Sequence, residues 1–191
     1  MRVVVATHNP HKVAELQRIL APLLPRIELV PYEGPAPVED GDTFEANALI
    51  KARAAHAHTG LPALADDSGI AVDALKGEPG IRSARYAGSG DDRDNLELLV
   101  ENLRGVENRA AQFLCAAAFV DDSGELVELG TWPGSVLTEP RGEGGFGYDP
   151  VFLPEGETRA SAELSAAEKD AVSHRRRAFT ALAGQLRERW A

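Results

Sequence analysis

The stretch RVVVATHNPHKVAEL, Arg2–Leu16, changes its period half-way along. Arg2–Ala6 is a short β-branched run bounded by polar residues, which predicts a buried strand. Asn9-Pro10 then reads as an N-cap followed by a proline in the first helical position. Val13, Leu16, Ile19 and Leu20 supply an apolar face at helical spacing, with Pro22 expected to stop the helix. A strand running directly into a helix opens an α/β arrangement.

The same alternation continues outward. Ile27–Val30 predicts a second strand, and Pro31–Gly41, rich in Pro, Gly and acid, a loop. Thr43–His58 has helical composition, with Asp42 placed to cap it and Gly60 to end it. Apolar runs Leu61–Ala65 and Ile70–Leu75 follow, then a loop over Gly77–Gly90 and an amphipathic helix containing Leu96–Leu103 that begins near Asp91. Gln112–Val120 and Leu126–Trp132 are strand-like, Arg141–Tyr148 is a glycine-rich loop, and Val151–Leu153 a short strand. From Ser161 the chain reads as helical, with a break near Ser173. The pattern argues for an α/β fold with a mixed sheet. No linker of disorder-prone composition divides the chain, so residues 1–191 are expected to form one domain.

Apolar residues make up 43% of the 191, enough for a packed interior. The net charge of −10 disfavours an electrostatic grip on DNA or RNA, so no nucleic-acid partner is expected. A small anionic ligand would have to overcome that field, and a divalent cation would help it. Cys115 is the single cysteine, which rules out an intrachain disulfide and a thiolate metal cage. No stretch has the character of a signal-peptide core or a membrane span, so a soluble cytoplasmic protein is expected.

The tetrapeptide DDSG occurs twice, at Asp66–Gly69 and Asp121–Gly124. The second copy lies between two strand-like runs at hairpin spacing and reads as a turn. The first has apolar flanks, LPALA and IAVDAL, so two adjacent carboxylates sit at the end of a buried strand and need compensation. A divalent cation such as Mg²⁺ supplies it economically. A turn with solvated aspartates is the alternative, and both readings stand on the local residues alone.

Four other segments carry chemistry. ATHNPHK is either an ordinary capped helix or a helix start that offers free N–H groups and the positive end of a dipole to an anion, with the Thr7 hydroxyl and the Lys12 ammonium beside it. His8 and His11 lack a nearby acid or cysteine and read as hydrogen-bonding or solvated side chains. Thr43, Asn47 and Lys51 form one polar row on a helix, either a solvated face or one that brings Lys51 to a phosphate, and Glu39 and Asp40 precede it in the loop, free to reach a metal or simply wet. RGEGGFGYDPVF sets Phe146 and Tyr148 among glycines, either a stacking surface for a flat base or a loop with one buried aromatic anchor. Lys169, His174, Arg175, Arg176 and Arg177 form a basic cluster, either a solvated helix face or a phosphate- or base-recognising group.

Assembled, the blocks VVVATHNPHKVAEL, TFEANALIKARAA, LADDSGIAVDAL, PGIRSARYAG, GGFGYDPVF and AELSAAEKDAVSHRRRA closely resemble the inosine triphosphate pyrophosphatase family, nearly end to end and in the family's order. The resemblance implies an elongated mixed α/β fold with two lobes around an active-site cleft, usually as a homodimer. It implies Mg²⁺-dependent hydrolysis of non-standard purine nucleoside triphosphates (dITP, ITP, XTP) to monophosphate and pyrophosphate, a reaction that cleanses the nucleotide pool. Carried over, Thr7, His8, Asn9, Pro10, His11 and Lys12 would cradle the triphosphate, with Lys51 beside them. Glu39 and Asp67 would hold Mg²⁺, Asp67 would also accept the proton, and Ser68 would touch the substrate. Phe146, Gly147, Tyr148 and Asp149 would hold the base with Phe146 stacking on it, and Lys169, His174 and Arg175 would complete the pocket. Position 8 is often glycine in the family, and Asp40 stands next to Glu39 as a competing ligand. Asp66 would be a supporting carboxylate. A phosphohydrolase acting at the γ-phosphate, a pyrophosphatase for modified pyrimidine nucleotides, and a non-catalytic nucleotide sensor are the competing readings.

Overall fold

A computed structural model describes residues 1–190. The strands are β1 (Arg2–Val5), β2 (Glu28–Pro31), β3 (Ala63–Val72), β4 (Ala110–Asp121), β5 (Gly124–Val136) and β6 (Phe152–Pro154). The helices are α1 (Pro10–Leu23), α2 (Phe44–Thr59), α3 (Asp92–Asn102), α4 (Ala166–Val172) and α5 (His174–Arg189). The strands form one six-stranded sheet in the order β2-β1-β3-β4-β5-β6. β1 is parallel to both β2 and β3, whereas β5 and β6 are antiparallel, so the sheet is mixed as the alternation of elements predicts.

The chain falls into two compact units, one made of Met1–Asp67, Cys115–Gly130 and His174–Ala191, the other of Ser68–Leu114 and Thr131–Ser173. In the first unit the two-residue period of β1 divides its side chains between two cores. Val3 and Val5 pack with Leu16, Ile19 and Leu20 of α1 and with Phe179 and Leu182 of α5. Val4 and Ala6 pack with Ala48, Ala52 and Ala55 of α2, whose small side chains suit close approach of helix to sheet. The second unit has its own core, in which Ile70 and Val72 of β3 meet Leu96 and Leu99 of α3 and an aromatic group, Phe113, Trp132 and Phe152. The Phe113 and Phe152 rings lie 4.4 Å apart, centre to centre.

The local signals of the sequence are used with three corrections. Asn9 caps α1 with Pro10 at its start, but Pro22 lies inside the last turn, and the helix runs to Leu23. A proline that late forfeits a single N–H bond, and the chain leaves the helix at Leu24, whose N–H still donates to Leu20 O at 2.8 Å. The cap of α2 is Thr43, whose hydroxyl accepts from Ala46 N at 3.1 Å, and not Asp42; Gly60 ends the helix in the left-handed region as expected. The third concerns the first DDSG. The strand does not end there: β3 runs unbroken from Ala63 to Val72 with both aspartates in its middle. The second DDSG is the hairpin turn between β4 and β5, closed by Asp121 Oδ1 accepting from Ser123 N at 2.8 Å.

Candidate active site

In the first unit, β3 presents Asp66 and Asp67, α1 brings Lys12 and Glu15, α2 brings Lys51, the loop before it Glu39, and α5 Arg175. Asp66 Oδ2 takes donors from Lys12 Nζ at 3.1 Å and from Arg175 Nε and Nη2 at 3.2 and 3.1 Å. Arg175 Nη1 donates to Glu15 Oε2 at 2.8 Å. Lys51 Nζ stands 2.9 Å from both Asp67 Oδ1 and Glu39 Oε2. The adjacent carboxylates are therefore compensated by different cations.

That difference separates their acidities. Burial alone would raise the Asp66 carboxyl, but Lys12, Arg175 and Lys51 together pull it well below the usual range. For Asp67 burial prevails over the pull of Lys51 and pushes the carboxyl up. Burial also opposes the charge of Lys51, yet Asp67 and Asp66 carry its ammonium above the ordinary lysine value. One aspartate is held as a fixed anion while its neighbour is given proton affinity, the division of labour that acid–base chemistry requires.

The start of α1 is an ordinary capped helix, the plainer of its two readings. Asn9 Oδ1 accepts from His11 N at 2.9 Å and Lys12 N at 3.4 Å, and Pro10 has no N–H, so the free donors of the first turn are largely taken up by the helix's own cap. What this segment can offer an anion is the dipole, the Thr7 hydroxyl and the Lys12 ammonium. Thr7 Oγ1 accepts from Asn9 N at 3.1 Å, and His8 is a hydrogen-bonding histidine, with Nε2 3.0 Å from Gly34 O. Of the polar row along α2, Thr43 is exposed, but Asn47 is buried and its Oδ1 accepts from Gly41 N at 2.9 Å, fixing the loop that carries Glu39.

Glu39, and not the exposed Asp40, converges with Asp67 on a common cationic position. No group of three or more His, Cys, Asp or Glu side chains suited to a metal occurs among the described residues. Two convergent carboxylates are the donor set expected for Mg²⁺, which keeps waters and takes its other ligands from substrate phosphates. The residues present fit that ion.

The second unit holds the glycine-rich loop. Asp149, buried, accepts from Phe146 N at 2.9 Å and Lys169 Nζ at 2.6 Å through Oδ2, and from Ser161 Oγ at 2.8 Å through Oδ1. The Lys169 ammonium lies 4.9 Å from the centre of the Phe146 ring. Tyr148 is the buried anchor, its hydroxyl donating to Ser83 O at 2.7 Å, while Phe146 is only half-buried. Gly147 N donates to Asp92 Oδ2 at 2.9 Å. Gly145 has φ +71°, and a Cβ there would lie 2.1 Å from Asp149 Oδ2, so the loop reaches the carboxylate only through glycine. Ser68 follows Asp67 on β3, half-buried, and His174 begins α5, buried.

Sequence reasoning missed Glu15 and Ser161. Glu15 left a signal, since it shares a helix face with Ile19, four residues on, and so places an acid on the apolar stripe of α1. Ser161 left none.

Fold and site define an α/β protein whose central strand carries a buried aspartate pair among lysines and an arginine. The chain belongs to the Ham1 family, whose sequence profile matches residues 3–185. A dITP/XTP pyrophosphatase of Leifsonia xyli is 53% identical, covering 98% of this chain and 96% of its own. The structure of a HAM1 protein from Coxiella burnetii superposes with a TM-score of 0.88 at 41% identity, covering 98% of this chain and 99% of its own. That of a nucleoside-triphosphatase, or dITP/XTP pyrophosphatase, from Mycobacterium abscessus gives 0.77 at 49% identity, covering 95% and 98%.

Proposed function

We propose that the protein hydrolyses non-standard purine nucleoside triphosphates (dITP, ITP and XTP) to the monophosphate and pyrophosphate with Mg²⁺, removing them before they enter DNA or RNA. The observation that carries this reading is the aspartate pair on β3: Asp66 held as an anion by Lys12 and Arg175, Asp67 raised in proton affinity by burial. The relatives named dITP/XTP pyrophosphatase, alike over nearly the whole chain, supply the substrate class.

Asp67 accepts the proton of the water that attacks the α-phosphorus; the bond from that phosphorus to the bridging oxygen breaks, and pyrophosphate leaves with the electron pair. Lys12 and Lys51 offer their ammonium groups to the phosphate oxygens, which gain charge as the bond breaks. Mg²⁺, when bound by Glu39 and Asp67, supplies charge neutralisation at the phosphates and a more acidic water. Phe146 stacks on the base, and Asp149 shapes the loop from below. A 6-amino purine in place of a 6-keto one leaves donors unpaired, at a cost of about 1–3 kcal/mol for each buried group. A cytoplasmic homodimer is part of the same proposal, and light scattering of the purified protein tests the dimer.

The test is incubation of the purified protein with Mg²⁺ and, separately, dITP, XTP, dATP and dGTP, with products separated by chromatography. Monophosphate and pyrophosphate from the first two, with little from the others, is the expected result. Diphosphate and phosphate would move the attack to the γ-phosphorus. Binding without any product would make the protein a nucleotide sensor.

A further inference from the structure

The block PGIRSARYAG, Pro79–Gly88, supplies no residue to the chemistry described above. Within it a short 3₁₀ segment, Gly80–Arg85, buries one polar side chain, Ser83, 4% exposed. The Ser83 hydroxyl donates to Gly80 O at 2.6 Å and accepts from Ile70 N of β3 at 3.0 Å. This close approach accounts for the glycine of the first DDSG, because a Cβ on Gly69 would run into Ser83 Oγ and Gly80 O. The carbonyl of the same serine meets the glycine-rich loop. Ser83 O accepts from the Tyr148 hydroxyl at 2.7 Å in a buried bond. Burial, with Tyr86 and Asp92 nearby, pushes the Tyr148 phenol up, so it remains a donor. Asn95 of α3 holds the residues that follow, donating to Ala84 O at 3.2 Å and accepting from Ala87 N at 2.7 Å.

We propose that Ser83 is a positioning residue for base recognition: its hydroxyl fixes it to β3 and its carbonyl holds Tyr148, which sets where the Phe146 ring stands. This rests on the reading of Phe146 as the residue that stacks on the base. Asp149 ties the loop to Lys169 and Ser161, and Tyr148 ties it to β3 by way of Ser83. The bond from Gly147 N to Asp92 Oδ2 is exposed and water competes for it, whereas the bond from Tyr148 to Ser83 is shielded and keeps its geometry. Serine suits the position because one small hydroxyl both donates to Gly80 O and accepts from Ile70 N. Alanine would leave the Ile70 N–H buried without an acceptor and the segment free to shift.

Ser83→Ala, Tyr148→Phe (which cuts the link at its other end) and the double variant are compared with the wild-type chain. KM and kcat for dITP are read from pyrophosphate release, and backbone hydrogen exchange of residues 141–149 by mass spectrometry. Ser83→Ala is expected to raise KM about fivefold and Tyr148→Phe about tenfold, each with kcat within about twofold and with faster exchange in the loop. Added to Tyr148→Phe, Ser83→Ala should leave KM within about twofold, because the route from Ser83 to the loop is already cut. It should still lower Tm there, because Ile70 N has lost its acceptor. A purely structural serine would move Tm and KM together in both backgrounds. Unchanged KM in a folded Ser83→Ala protein overturns the proposal, as does a double variant whose KM rises by the full fivefold again. If Ser83→Ala does not fold, Tyr148→Phe decides alone, and unchanged KM or unchanged loop exchange overturns the proposal. Failure of the functional reading shows differently: the wild-type chain releases no pyrophosphate from dITP, while exchange in the loop still quickens in the variants.

Discussion

Asp149→Asn isolates one ion pair from the hydrogen bonds around it. Asparagine keeps the shape of the side chain, its oxygen can accept from Phe146 N, and its amide can face the Ser161 hydroxyl, which turns to accept. What it cannot replace is the charge opposite Lys169, 2.6 Å away, with side chains only 8% and 2% exposed. Removing one partner of a buried pair costs about 3–5 kcal/mol, because the other charge is left desolvated. The two retained hydrogen bonds, at about 1 kcal/mol each, and the Phe146 ring beside the ammonium keep the loss near the bottom of that range, about 3 kcal/mol. Urea unfolding measures it. Of the two tryptophans, Trp132 lies in the core of the second unit, so a Trp190→Phe background makes the fluorescence report on that unit. Ser161→Ala is the control, and loses about 1 kcal/mol with Lys169 still paired. Because the Lys169 ammonium that loses its partner lies 4.9 Å from the centre of the Phe146 ring, the KM for dITP should rise about tenfold in Asp149→Asn, with kcat within about twofold. An Asp149→Asn protein as stable as wild type, or one that loses kcat at constant KM, refutes the role given to this carboxylate.

The other expectations are direct. Asp67→Asn should abolish turnover while leaving the fold and much of the nucleotide affinity, as read by product analysis and calorimetry; an active variant removes Asp67 from the mechanism. Gly145→Ala should disorder the loop, since its Cβ meets Asp149 Oδ2 and its φ is +71°, and a raised KM for dITP with a lowered Tm would show it. Glu168, in the capping box with Ser165 at the start of α4, is held down to about 2 by the Ser165 backbone and side chain and by Arg159, from an ordinary value of 4.5. A depressed carboxylate stabilises the fold above its unfolded pKa, and that contribution fades as pH falls through the folded one. Glu168→Gln should therefore flatten the decline of Tm between about pH 4.5 and 2, and an unchanged slope would mean that the box does not act on stability. Chelation of Mg²⁺ by EDTA should stop hydrolysis, with activity restored by added Mg²⁺.

The first strand and helix were legible because their determinants are local: β-branched residues with alternating burial, an Asn-Pro cap, and an apolar stripe every three or four residues. The ends were less so. Pro22 could be tolerated in a final turn, and Thr43 could cap in place of Asp42, because a shift of one residue changes nothing in the periodicity that a reader sees. In the glycine loop, the sequence could not say which of the two aromatics is the buried anchor. Phe146 is half-exposed and Tyr148 is pinned to Ser83 O, a partner 65 residues away in the chain.

The two DDSG segments show why the site itself was harder. Aspartate, serine and glycine favour a turn wherever no stronger interaction opposes it, and at Asp121–Gly124 none does. At Asp66–Gly69 the same four residues lie in mid-strand, because cations hold the charge where water otherwise would. Those cations come from Lys12, Lys51 and Arg175, the last of them 109 residues from Asp66. No window around the motif contains them, so apolar flanks could raise the question of compensation but could not say what supplies it. The answer also separates the pair. Lys12 and Arg175 converge on one oxygen of Asp66 and hold it as an anion, leaving the more weakly compensated Asp67 as the carboxylate that can take up a proton. Adjacent residues of identical type acquire different chemistry because successive side chains of a strand point to opposite faces and meet different neighbours.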